Sequence, residues 1–136
     1  MSANPNMPVL VVDDYKTMVR IIRNLLKQLG FANVDEAGDG TAALNMMRNK
    51  QYGLVISDWN MESMSGLDLL KSMQADESLK HLPFVMMSSA RGSESVAAAR
   101  RAGAGSYLDK PFNIEALRAA ICEALDLPCQ PVRQQN

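Results

Sequence analysis

A chain of 136 residues, 47% hydrophobic and 21% charged, has the composition of one ordinary globular domain, able to bury roughly two thirds of its unfolded surface without staples. Its 14 basic and 15 acidic residues leave a net charge of -1, which excludes a broad nucleic-acid footprint because that needs clustered Lys and Arg to displace counterions from phosphate. No apolar run approaches membrane-spanning length, the opening MSANPNMP is not a signal peptide, and Cys122 and Cys129 match neither a disulfide framework nor a metal-ligand set, so a cytoplasmic protein with free thiols is expected.

Along the chain two kinds of segment alternate. PVLVV at 8–12 is a short β-branched run, and behind it Met18, Ile21, Ile22, Leu25, Leu26 and Leu29 recur at helical spacing as far as Gly30. The same strand-then-helix pattern recurs with NVDEA before TAALNMMRN, YGLVIS before SGLDLLKSMQ, PFVMMS before SESVAAARRA, and SYLD before IEALRAAICEAL. Runs such as VLVV and LVIS, apolar at consecutive positions, suit strands covered on both faces. An α/β fold is predicted, with five parallel strands doubly wound by five helices. Met64 and Met73 are read as core filler extending the third helical stripe. The glycines of AGAGSY are read as a helix-ending turn, and His81 as a surface residue. The domain is expected to span 1–127, followed by a frayed tail, PCQPVRQQN, at 128–136.

In a doubly wound sheet every strand's carboxyl end lies on one edge, where ligands bind. Reading off those ends gives Asp13 and Asp14 after the first strand, Asp58 after the third, Ser88 after the fourth and Lys110 after the fifth. Three converging carboxylates repel by about 4 kcal/mol per close pair at an effective dielectric of about 20. One Lys leaves an excess of negative charge, so a hard divalent cation such as Mg²⁺ completes the set and keeps positions open for phosphate oxygens. On this reading Asp58 is the reacting group, held beside a metal and a cation that stabilise a transferring phosphoryl group. Each residue alone has a plainer role: Asp13 or Asp14 as a helix cap, Asp58 opening a turn, Ser88 bonding local backbone, Lys110 a solvated charge. Their joint fall on one sheet edge is poorly explained that way.

VLVVDDYKTMVRIIRNLLKQLGF, the turn DG at 39–40, VISDWNM, the serine pair beginning at Ser88, and YLDKPF together resemble the response-regulator receiver family, most closely stand-alone chemotaxis regulators of the CheY type. The resemblance implies the flavodoxin-like strand order 2-1-3-4-5. It also implies that Asp58 accepts a phosphoryl group from a histidine kinase (CheA-like). Asp14, Asp58 and the backbone carbonyl of Asn60 would bind Mg²⁺, with Asp13 assisting through water. Lys110 would contact the phosphoryl oxygens, and Ser88 would move towards them so that Tyr107 turns inward, a two-state switch biased by a local charge change. The output would be read by a partner on the face of the fourth helix, fifth strand and fifth helix, a flagellar motor switch protein (FliM-like) being the favoured target. Three departures are expected to modulate the site: Glu62 where the family usually has Pro, Ser89 where a small Ala is usual, and Ala90 where Glu is frequent, with Asn60 tuning phosphate lifetime.

Fewer than about thirty residues follow KPF, too few for an effector domain, so output by binding, from a monomer, is expected. Alternatives are a receiver that drains phosphate from a kinase or serves another pathway. An aspartyl-phosphate phosphatase would want a second Asp two residues after the nucleophile, where Asn60 stands, and a flavin carrier would want a Ser/Thr- and Gly-rich loop where Asp13 and Asp14 stand. The chain is therefore read as a phosphoacceptor rather than an enzyme.

Overall fold

The computed structural model of the chain describes residues 6–61, 64–89 and 93–126, without the side chains of residues 93 and 94. Strands and helices alternate: β1 (Val9–Val12), α1 (Lys16–Gln28), β2 (Val34–Ala37), α2 (Gly40–Asn49), β3 (Leu54–Asp58), α3 (Gly66–Gln74), β4 (Phe84–Ser88), α4 (Ser93–Arg101), β5 (Ser106–Asp109) and α5 (Ile114–Ala124). The five strands form one parallel sheet in the order β2-β1-β3-β4-β5. This is the predicted doubly wound arrangement.

Period-2 alternation divides each central strand between two cores. Leu10, Val12, Val55, Phe84 and Met86 point to the side where α2, α3 and α4 supply Leu44, Met47, Leu69, Met73 and Ala99. Val9, Val11, Leu54, Ile56, Val85 and Met87 point to the side covered by α1 and α5, which supply Val19, Ile22, Leu26, Leu117 and Ile121. Burial on both faces is why these strands read as unbroken apolar runs. The edge strand β2, by contrast, is only partly covered and carries Asp35 and Glu36.

Helix ends follow local chemistry. Gly30 after α1 has φ +101, and the amides of Gly30 and Phe31 donate to the carbonyls of Lys27 and Leu26 at 3.0 and 2.9 Å, the paired bonds of a Schellman ending. Gly103 after α4 likewise has positive φ, as the AGAGSY reading expects. Asp39, read as part of a turn, instead caps α2: its Oδ1 accepts from the Ala42 amide at 2.8 Å. Met64 packs against the core, as read, but not from the helix. It precedes Ser65, the cap of α3, and its side chain lies against Gly40 instead of continuing the helical stripe, whereas Met73 is fully buried. His81 is exposed. Among the described residues no helix is long and apolar enough to cross a membrane. The tail at 128–136 lies outside the described residues.

Candidate functional site

Strand register assembles the site. Val12 pairs with Ser57, which sets Asp13 beside Asp58; Asp58 pairs with Met87, which sets Ser88 one step beyond; Ser88 pairs with Asp109, which sets Lys110 next to it. The Lys110 amide donates to the Ser88 carbonyl at 2.9 Å and the Asp13 amide to the Ala37 carbonyl at 3.1 Å, so both residues are fixed just past their strands. The Lys110–Pro111 peptide bond is cis.

The side chains converge. One carboxylate oxygen each from Asp13, Asp14 and Asp58 lies within 4.8 Å of the others, with Asp13 and Asp58 buried and Asp14 exposed. Lys110 Nζ lies 2.8 Å from Asp58 Oδ1 and 3.6 Å from Asp13 Oδ2. A single ammonium thus contacts two of the three clustered carboxylates, those of Asp58 and Asp13. Asp13 shows the consequence. Burial pushes its carboxyl above the usual range; the Tyr15 amide, donating to Oδ1 at 3.0 Å, opposes this, Asp58 reinforces it, Lys110 again opposes it, and Asp14 adds a further push upward.

Whether a divalent cation fits can be judged from Asp13 itself. Its Oδ2 is buried and accepts no hydrogen bond, its only close cation being Lys110 Nζ at 3.6 Å, and a buried carboxylate oxygen without a hydrogen bond is costly. Together with an all-oxygen donor set on three acids, this suits a hard cation such as Mg²⁺ and gives the orphaned oxygen a role.

Asp58 is held by its backbone on several sides. The next amide, Trp59, donates to the Met87 carbonyl at 2.8 Å; the Gly66 amide donates to the Trp59 carbonyl at 2.8 Å; Ser57 Oγ donates to the Asp58 carbonyl at 3.0 Å. Gly66 permits this closeness, because a Cβ there would collide with the Asp58 carbonyl oxygen. Sequence reasoning missed Gly66. The available signal was a glycine opening the third helical run, eight residues after the candidate nucleophile.

The remaining expected residues are placed as follows. Ser88 is fully buried at the end of β4. Tyr107 is half-buried on β5, opposite Met86, against the core under α2, α3 and α4, and it lines a cavity of about 440 Å³ with Pro111, Phe112 and Ala116. Asn60 and Ser89 are exposed. Glu62 and Ala90 lie outside the described residues.

Comparison with known proteins agrees with this geometry. Residues 9–122 match the family described as response regulator receiver domain. Over 115 residues, covering 85% of the chain and 88% of the relative, the sequence is 47% identical to chemotaxis protein CheY-3 of Vibrio cholerae. It is 45% identical to chemotaxis protein CheY of Pseudomonas aeruginosa over 115 residues, 85% of the chain and 93% of the relative. Among solved structures, the chemotaxis response regulator CheY4 of Vibrio cholerae is similar with TM-score 0.81 at 29% identity, covering 88% of this chain and 99% of that one. The receiver domain of the Francisella response regulator 1452 is similar with TM-score 0.80 at 27% identity, covering 89% and 98%.

Proposed function

The chain belongs to the response regulator receiver family, and on that premise we propose that it is a chemotaxis-type phosphorylation switch whose acceptor is Asp58. The observation that carries this reading is the pairing of Asp58, at a rigid strand end, with Lys110 Nζ at 2.8 Å and with two further carboxylates inside 4.8 Å.

A carboxylate oxygen of Asp58 attacks the phosphorus of a phosphohistidine on a histidine kinase; the new O–P bond forms as the P–N bond breaks, and the imidazole leaves with its electron pair and takes up a proton. Asp13, Asp14, Asp58 and the backbone carbonyl of Asn60 would hold Mg²⁺, which when bound supplies positive charge for the phosphoryl oxygens. Lys110 supplies a second positive charge there, exchanging its contact with the Asp58 carboxylate for one with the phosphoryl group. Asn60 stands where a hydrolytic acid would be needed, so the acyl phosphate outlives its formation and serves as a signal.

Ser88 then donates its hydroxyl to a phosphoryl oxygen, and Tyr107 fills the space towards the sheet. The rearranged face of α4, β5 and α5 is read by a binding partner. The relatives named as chemotaxis proteins support a chemotaxis role, for which the donor would be a CheA-like kinase and the target a FliM-like motor switch protein.

The test is intact mass after incubation with a small acyl-phosphate donor and Mg²⁺. One phosphoryl adduct is expected on the parent chain and none on Asp58→Asn. An adduct on the variant, or none on the parent, would refute the assignment of Asp58.

A further inference from the structure

The outward face of α1 carries a row of cations that the phosphorylation chemistry leaves unused. Lys16, Arg20, Arg23 and Lys27 are spaced four, three and four residues apart, so they share one face of the helix over about 16 Å. All four are exposed, and α1 contains no Asp or Glu. Only Arg23 has an acidic partner, Glu36 on β2; among the described residues, Lys16, Arg20 and Lys27 form no ion pair. The nearest other acid along the chain is Asp14, which faces the carboxylate cluster.

Helix stability does not account for this row. Like charges at these spacings repel, and Lys16 places a cation in the first turn, where the helix dipole favours an anion. The flank of the row that faces the edge strand is also hollowed. A cavity of about 350 Å³ is lined by Lys16, Arg20, Arg23 and Glu36. A second, of about 300 Å³, shares Arg23 and adds Lys27, Phe31, Ala32 and Val34. Cations therefore form the rim, and apolar side chains from the α1–β2 connection form part of the floor.

We propose that this α1–β2 groove is a docking surface for an acidic segment of a partner protein, its carboxylates on the Arg20–Lys27 row and an apolar side chain over Ala32 and Val34, with the buried Phe31 beneath. Charge complementarity selects the acidic class, and the apolar floor favours a peptide over nucleic acid, which needs a broader cationic field than a chain of net charge -1 offers. The surface lies on the side of α1 towards β2, separate from the α4–β5–α5 face.

The test uses a fluorescein-labelled peptide in which Glu pairs alternate with single Leu residues, a Glu-only peptide and a single-stranded oligonucleotide, each titrated into the full chain and followed by anisotropy and amide chemical shifts. The Glu–Leu peptide is expected to bind and to perturb α1, Phe31 and Val34. Arg20→Glu/Lys27→Glu should weaken it about tenfold, whereas Arg100→Glu/Arg101→Glu on α4 should leave it unchanged. The Glu-only peptide should bind less tightly than the Glu–Leu one. Equal losses in both double variants, perturbations elsewhere, or preference for the oligonucleotide would overturn the proposal. Thermal midpoints and acyl-phosphate labelling of the α1 variant should match the parent, which keeps this result independent of the phosphorylation reading.

Discussion

Lys110 Nζ sits between two buried carboxylates, 2.8 Å from Asp58 Oδ1 and 3.6 Å from Asp13 Oδ2. The same ammonium that makes the acids tolerable also repels a divalent cation approaching them. Lys110→Met should therefore tighten Mg²⁺ binding by about tenfold while slowing phosphorylation, a split between affinity and rate. Trp59, the only tryptophan and adjacent to Asp58, provides the fluorescence signal for the titration. Without the cation the variant should lose about 2 kcal/mol in urea unfolding, less than for a fully buried pair because the Lys110 side chain is 17% exposed.

Asp13 should destabilise the fold at neutral pH. Its folded pKa is raised above 3.8, so the folded state holds the proton more tightly than the unfolded chain, and the cost appears as pH rises through the folded value. Asp13→Asn should accordingly be more stable than the parent at pH 7 in EDTA, by about 1 kcal/mol or about 4 °C in melting temperature. The difference should vanish below pH 3.8. Added Mg²⁺ should stabilise the parent more than the variant.

Gly66→Ala places a methyl group against the carbonyl of Asp58 and beside Met86. We expect a loss of about 2 kcal/mol in stability from the forced separation of α3 and β3. Mg²⁺ affinity should fall with it, since the peptide linking Asp58 to Trp59 is the one displaced. A Gly66→Ala protein with unchanged metal affinity would show that the contact acts on packing alone.

At the opposite end of the sheet, Asp35 has the reverse pH behaviour. Hydrogen bonds from Lys50 at 2.8 Å and Tyr52 at 2.6 Å hold its carboxyl below the usual range, and in turn burial and the Asp35 contact push the Tyr52 phenol up. Its folded pKa is depressed, so its stabilisation is complete above the unfolded value of 3.8 and is lost as pH falls through the folded value. Asp35→Asn should cost about 1 kcal/mol at pH 7, and the gap to the parent should close in acid. Urea midpoints at the two pH values decide it.

The elements and the strand-end constellation were legible because their signals are local. LVIS and VLVV announce burial on both faces, and the residue after each run is forced to the same sheet edge. What stayed hidden depends on contacts between distant segments. Nothing within DEA indicates that Asp35 meets Lys50 and Tyr52, and Met64 reads as helical until Gly40 of another helix offers it a place. Asp39–Gly40 reads as a turn because Asp serves turns and caps with the same hydrogen bond, and only the following apolar run distinguishes them. Asp13 Oδ2 belongs to this class too: the sequence supplies the acid, but its lack of a hydrogen bond depends on what the ends of β3 and β5 place around it.

Because Asp13 and Asp14, Asp58, Ser88 and Lys110 hang from four different strands, their meeting depends on Val12 facing Ser57 and Asp58 facing Met87. A slip of one residue in β3 would turn Asp58 from the α1–α5 side to the opposite layer and silence it without unfolding the sheet. The fraction of a preparation that can be labelled by an acyl phosphate is thus a count of correctly threaded molecules, a chemical measure of folding fidelity that spectroscopy of secondary structure would miss.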